Sequence, residues 1–265
     1  MMKSRLYATV GVLTLTTIFV FGALIPLVNA LCLPLFGLGL GWLVVKTPET
    51  GWLEIVLWCA VVVLGFFIAI YRPEGFHYPI AWETSAMHEG GLPFTLHMNF
   101  SKLLGGILVI IWLLTVYSNN SIARPLHESI LITAASVFVM LLIANVFFDV
   151  GWQPKISEGL GLFVLVNLGI TVLSEEAFFR LLIQDRMTSF FSNPTIGMWV
   201  AGIFTSVLFA FAHSTTINKT WLLFFIAGAI YSAVFAYTQR FSMALAVHFG
   251  VNLMHFIFLR YPIST

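Results

Sequence analysis

Three short stretches of this sequence put ionisable or amide side chains into apolar surroundings. They are Thr171-Val-Leu-Ser-Glu-Glu-Ala-Phe-Phe-Arg180, Phe209-Ala-Phe-Ala-His213 and His248-Phe-Gly-Val-Asn252. An ionisable group inside a membrane span costs at least about 2.5–3.5 kcal/mol. One such group can be structural; neighbouring segments that each carry one or two read as a site. Helical spacing divides the roles. Glu176 and Arg180 stand four apart with the carboxylate N-terminal, so they share a face and neutralise each other. Glu175 is five residues from Arg180, about 140° round a helix. It is left without a local partner and is the carboxylate free to act as a general base. Phe209 and His213 share a face, as do His248 and Asn252. His255 returns to nearly the same stripe as His248 but reads as a satisfied interior residue. The plainer reading, that both glutamates only anchor helices, stands beside the catalytic one.

The rest of the chain must carry these residues through a bilayer. Of 265 residues, 60% are hydrophobic, 26 are Phe and only 9% are charged, against about a quarter charged in a soluble domain. That leaves no material for a polar shell and excludes a cytosolic enzyme or a disordered chain. Lys plus Arg is 12 and Asp plus Glu is 11, so no nucleic-acid partner is expected. Cys32 and Cys59 lie in apolar runs without metal-ligand spacing. Apolar segments fall near 6–27, 31–45, 53–71, 103–117, 130–148, 160–183, 196–212, 221–237 and 243–259. The expected fold is therefore all-α, a polytopic transmembrane helix bundle of eight or nine spans around an intramembrane polar cavity.

The uncertainty in span number lies in the run 6–45, which Pro26 and Pro34 interrupt. At 1.5 Å per residue it is about 60 Å long, too long for one crossing, and reads as a hairpin or as one span plus a re-entrant piece. Counted as one crossing, it divides the interhelical Lys and Arg seven against four and favours a cytoplasmic N-terminus; counted as two, six against five, which orients nothing. The chain divides into N-terminal helices, 1–150, and a back part, 151–265, that holds the three motifs. The polar stretch 72–101 reads as an ordered interfacial loop. Its His77, His88 and His97 match no compact metal-ligand pattern.

Glu-Glu-x-x-x-Arg, then Phe-x-x-x-His, then His-x-x-x-Asn, in order on successive helices, resembles the CPBP family. These are the CAAX-prenyl-endopeptidase-like and bacteriocin-processing intramembrane proteases, also called the Abi group. The resemblance covers roughly 155–260 and includes the run Gly228-Ala-Ile-Tyr-Ser. It implies an intramembrane endopeptidase that hydrolyses a peptide bond of a membrane-associated or lipidated peptide. By resemblance Glu175 activates the water, His213 orients it, and His248 and Asn252 donate to the oxyanion; Glu176, Arg180 and Phe209 support them. No cofactor is expected. The alternative is zinc held by His213, His248 and Glu175, although no His-Glu-x-x-His helix is present. A non-proteolytic scaffold, immunity or peptide-binding protein of the same fold is the rival reading. A proton-relaying transporter would predict inverted repeats, and none is seen. The expected location is integral and multi-pass, in the plasma membrane.

Overall fold

The computed structural model describes residues 2–45, 51–87, 91–120 and 122–262. Among them, nine helices are long and apolar enough to cross a membrane. They are α1 (Met2–Phe21), α2 (Leu27–Val45), α3 (Trp52–Ile70), α4 (Phe100–Ser118), α5 (Leu126–Phe148), α6 (Leu160–Thr188), α7 (Pro194–His213), α8 (Lys219–Thr238) and α9 (Phe241–Phe258). Large apolar side chains such as Phe21, Leu38, Val63, Leu131, Phe147 and Leu165 face outward, as lipid contact requires and water does not tolerate.

Helix ends follow local chemistry. Asn193 accepts hydrogen bonds from the Thr195 and Ile196 amides, with Pro194 in the first turn of α7. Asn218 caps α8 through the Trp221 amide and Asn99 caps α4 through the Lys102 amide. Asp149 and Gln239 take left-handed conformations that stop α5 and α8.

The run 6–45 is two helices, with the chain turning at residues 22–26, where Ala23 has a positive φ. Pro34 sits inside α2 without ending it. Because the run is two helices, each long and apolar enough to cross, the six-against-five charge division applies, and the expectation of a cytoplasmic N-terminus loses its support.

The stretch 72–101 is more structured than a loop. Strands β1 (Ile80–Thr84) and β2 (Phe94–His97) pair antiparallel, with Trp82 opposite Leu96, Thr84 opposite Phe94, and an irregularity between Ile80 and Trp82. The strand signal was hidden by its shortness and by the prolines and glycines around it. Trp82, Phe94 and Leu96 pack on Phe163, Phe256 and Tyr261 in a small cluster apart from the main core. His77 and His97 lie here; His88 is outside the described residues.

Helix α4 has one π-helical stretch, Ile110–Leu114, and helix α6 is more irregular still. Its 29 residues would measure about 44 Å as an α-helix, longer than the roughly 30 Å hydrocarbon core. Two π-helical stretches, Asn167–Val172 and Ala177–Asp185, flank the regular turn Leu173–Glu176. Such wide turns release backbone carbonyls from the usual ladder and often mark functional sites. The Trp58 indole on α3 donates to the Leu182 carbonyl at 2.7 Å. Arg186, near the end of α6, reaches back to Glu54 on α3. The main core joins α2, α3 and α4 to α6 and continues into α7, α8 and α9.

Candidate active site

The turn Leu173–Glu176 presents two adjacent buried carboxylates in different directions. Glu176 Oε2 accepts from Arg180 Nε at 2.8 Å, and both side chains are fully buried. The guanidinium continues through Nη1 to Gln184 Oε1 and to Ser232 Oγ on α8. The other oxygen of Glu176, Oε1, accepts from His248 Nδ1 on α9 at 2.8 Å. A self-contained pair expected within one helix is therefore a polar network joining α6, α8 and α9.

Glu175 points elsewhere. Its Oε1 is in contact with Nζ of Lys102 on α4. Its Oε2 lies 3.8 Å from His213 Nε2 and 3.7 Å from His248 Nε2, with no hydrogen-bond partner among the described residues. The expectation that Glu175 has no partner holds only within its own helix; the cation comes from 73 residues earlier in the chain.

Both histidines are oriented from behind. His213 Nδ1 is 2.8 Å from the Phe209 carbonyl. A carbonyl only accepts, so that nitrogen carries the hydrogen, and in the neutral ring the Nε2 lone pair faces Glu175. His248 Nδ1 donates to Glu176 in the same way. The His248 ring stacks on Tyr231 at 4.7 Å, and Phe209 and Phe224 flank His213 at 4.3 and 4.8 Å. Asn252, one turn beyond His248, donates through Nδ2 to Asn167 Oδ1 at 3.3 Å.

Glu175, His213, His248, Asn252, Asn167 and Tyr231 line one cavity of about 270 Å³. Glu175 and His213 also line a second, of about 130 Å³, together with Lys102, Ser174 and Phe178. A larger cavity, about 840 Å³, lies along α7 and α8 beside Trp199, Phe225 and Tyr237 and includes neither carboxylate. His255 borders the first cavity, but its Nε2 is 3.0 Å from the Arg260 carbonyl.

Lys102 and Asn167 escaped the sequence reading. Lys102 counted only as a charge at the edge of a span, and nothing local ties it to Glu175. Asn167 did leave a signal, as a lone amide in the apolar run before the carboxylates. A catalytic zinc needs three ligand atoms around one point. Among the described residues no three His, Cys, Asp or Glu side chains are arranged to hold a metal ion. The two Nε2 atoms and Glu175 come nearest, but the Lys102 ammonium on that carboxylate opposes a dication.

Residues 157–254 match the family model described as type II CAAX prenyl endopeptidase Rce1-like. Over this segment the chain is similar to the CAAX-protease-like family. That family is one of proteases, and the chain itself is a multi-pass membrane protein. No curated protein and no solved structure matches the chain.

Proposed function

We propose that the protein is an intramembrane endopeptidase that hydrolyses a peptide bond with a water activated by Glu175. The observation that carries this reading is the convergence of Glu175 Oε2, His213 Nε2 and His248 Nε2 at 3.7–3.8 Å on one cavity. A water bound there gives one hydrogen to Glu175 Oε2 and the other to the His213 lone pair, leaving its own lone pair for the scissile carbonyl. As the oxygen–carbon bond forms, Glu175 takes the proton and the carbonyl oxygen becomes an oxyanion. Asn252 donates to that oxyanion from its amide. His248, held through Nδ1 on Glu176 at 2.8 Å, presents Nε2 to the same oxygen. Collapse breaks the carbon–nitrogen bond, and the proton on Glu175 passes to the leaving amine. No step needs a metal ion.

The substrate is a membrane-embedded or lipidated peptide, and the setting is the lipid bilayer, with the plasma membrane as the expected location. The cavity wall is mainly apolar, with Met140, Leu141, Leu223, Phe224 and Val251 beside the polar groups, which suits a chain arriving from lipid. The test is cleavage of lipidated and unlipidated peptide panels by protein reconstituted in vesicles, with Glu175→Gln as the control. Cleavage by wild type alone supports the reading. A Glu175→Gln protein that keeps the host phenotype without cleaving anything would support a scaffold instead.

A further inference from the structure

We propose that Lys102 is a positioning residue of this site, holding Oε1 of Glu175 so that Oε2 alone is offered to the water. The inference rests on Glu175 being the base, and it brings a helix outside the 157–254 segment into the hydrolytic machinery. A carboxylate has two equivalent oxygens that exchange by rotation of its last torsion, which is broad and twofold. Here the two are unlike. Oε1 carries the ammonium, and Oε2 has no hydrogen-bond partner among the described residues and faces both histidines. Lys102 breaks the symmetry and fixes the plane of the group.

The lysine is itself held. Asn99 accepts from the Lys102 amide at 3.0 Å and donates to the Ala69 carbonyl at 2.9 Å, tying the start of α4 to the end of α3. Asn29 on α2 donates to Ile68 O at 3.1 Å and to Ser101 Oγ at 3.0 Å, fixing the adjacent residue. One turn further along α4, Gly106 meets α6 so closely that a Cβ there would lie 2.6 Å from Ser174 Cα. Ser174 is the residue before Glu175, so α4 touches the working turn by its backbone at one point and by its ammonium at another.

The two carboxylates thus have separate cations. Arg180 serves Glu176 from the same helix, and Lys102 serves Glu175 from the front part of the chain. A lysine needed only to neutralise a buried charge would affect folding and leave turnover of the folded protein alone. A lysine that aims the base would lower turnover in protein that has folded.

The experiment measures kcat and KM on a cleaved lipidated peptide, per mole of monodisperse reconstituted protein, for Lys102→Met, Lys102→Gln and Lys102→Arg. Glu54→Gln breaks a buried ion pair away from the cavity and serves as the structural comparison. Loss of aim should lower kcat about 10–100-fold, within the range that misplacement of about 1 Å costs. KM should stay within about twofold for Lys102→Met and Lys102→Gln, Lys102→Arg should recover part of the loss, and Glu54→Gln should lower yield with kcat unchanged. Wild-type kcat in Lys102→Met or Lys102→Gln overturns the proposal, as does failure of both to fold, which would assign the lysine to folding. Activity surviving in Glu175→Gln would instead sink the base assignment, and a dead Glu175→Gln beside a fully active Lys102→Met would sink only the role of Lys102.

Discussion

Glu176 Oε1 lies 2.8 Å from His248 Nδ1, so the second carboxylate of the pair holds a histidine on α9 as well as the arginine of its own helix. Its two oxygens are divided between Arg180 and His248. Removing it disturbs three helices, whereas Glu175 meets the histidines across an open contact.

The two glutamates should therefore fail differently. Glu175→Gln should lower turnover about 10²-fold or more while yield and melting temperature stay near wild type. Glu176→Gln weakens the hold on a fully buried guanidinium, a loss that typically costs about 3–5 kcal/mol, and should reduce both yield and activity. Purified protein, activity assays and thermal melts on the pair decide it; the reverse pattern would exchange the two roles.

Asn252 and Asn167 should show a graded loss. Asn252→Ala removes the amide assigned to the oxyanion and should lower kcat about 10²–10³-fold. Asn167→Ala removes only the acceptor that orients Asn252 and should cost about tenfold, the low end of what losing an orienting partner costs. Equal losses, measured as kcat on the same peptide, would contradict this order.

Gly106 should tolerate no side chain. A Cβ there would meet the backbone of Ser174 at 2.6 Å, so Gly106→Ala should destabilise the protein by about 1–3 kcal/mol. Gly161 in α6 has open space around its Cβ position, and Gly161→Ala should be neutral or slightly stabilising. Thermal melts of both variants in detergent make the comparison.

The exposed Lys219–Asp149 pair ties the start of α8 to the end of α5 at 2.6 Å. The hydrogen bond from Lys219 holds the Asp149 carboxyl below its ordinary range. A depressed carboxylate adds stability above its unfolded pKa and loses it as pH falls below about 4. Because the pair is solvated, Asp149→Asn should change the melting temperature little at neutral pH and flatten its dependence below pH 4, most visibly at low salt.

Metal dependence gives a separate test of mechanism. Strong chelators should leave activity unchanged, and active protein should carry no stoichiometric zinc. About one zinc per chain by elemental analysis, lost together with activity on chelation, would keep the protease and replace the mechanism.

The sequence made the helices and the motif residues legible for one physical reason. A bilayer demands long apolar segments, so each polar residue inside one stands out. Glu175, His213, His248 and Asn252 were visible in that way, and so was the Glu176–Arg180 pairing, because i,i+4 geometry is local. Lys102 was not, because its meeting with Glu175 depends on how α4 packs against α6, and Gly106 carries no side chain to advertise that contact. The hairpin was hidden by composition, and the His248–Glu176 bond by its separation of 72 residues. Nor do the residues of α6 announce the wide turns on either side of its two carboxylates.

Those wide turns make α6 sensitive to residue count in a way its loops are not. Between Ala177 and Asp185 the chain holds its register with help from outside the helix, through Trp58 on Leu182 and Ser232 on Arg180. Deleting one residue from this stretch would rotate everything after it by about 100°. Arg186 would swing away from Glu54, while Glu175, upstream of the cut, would stay where it is. An insertion would do the same in the other direction. Changes in length between members of a lineage should therefore gather in connections such as 149–159 and 189–193, and an alignment that opens a gap inside 177–185 describes a different helix.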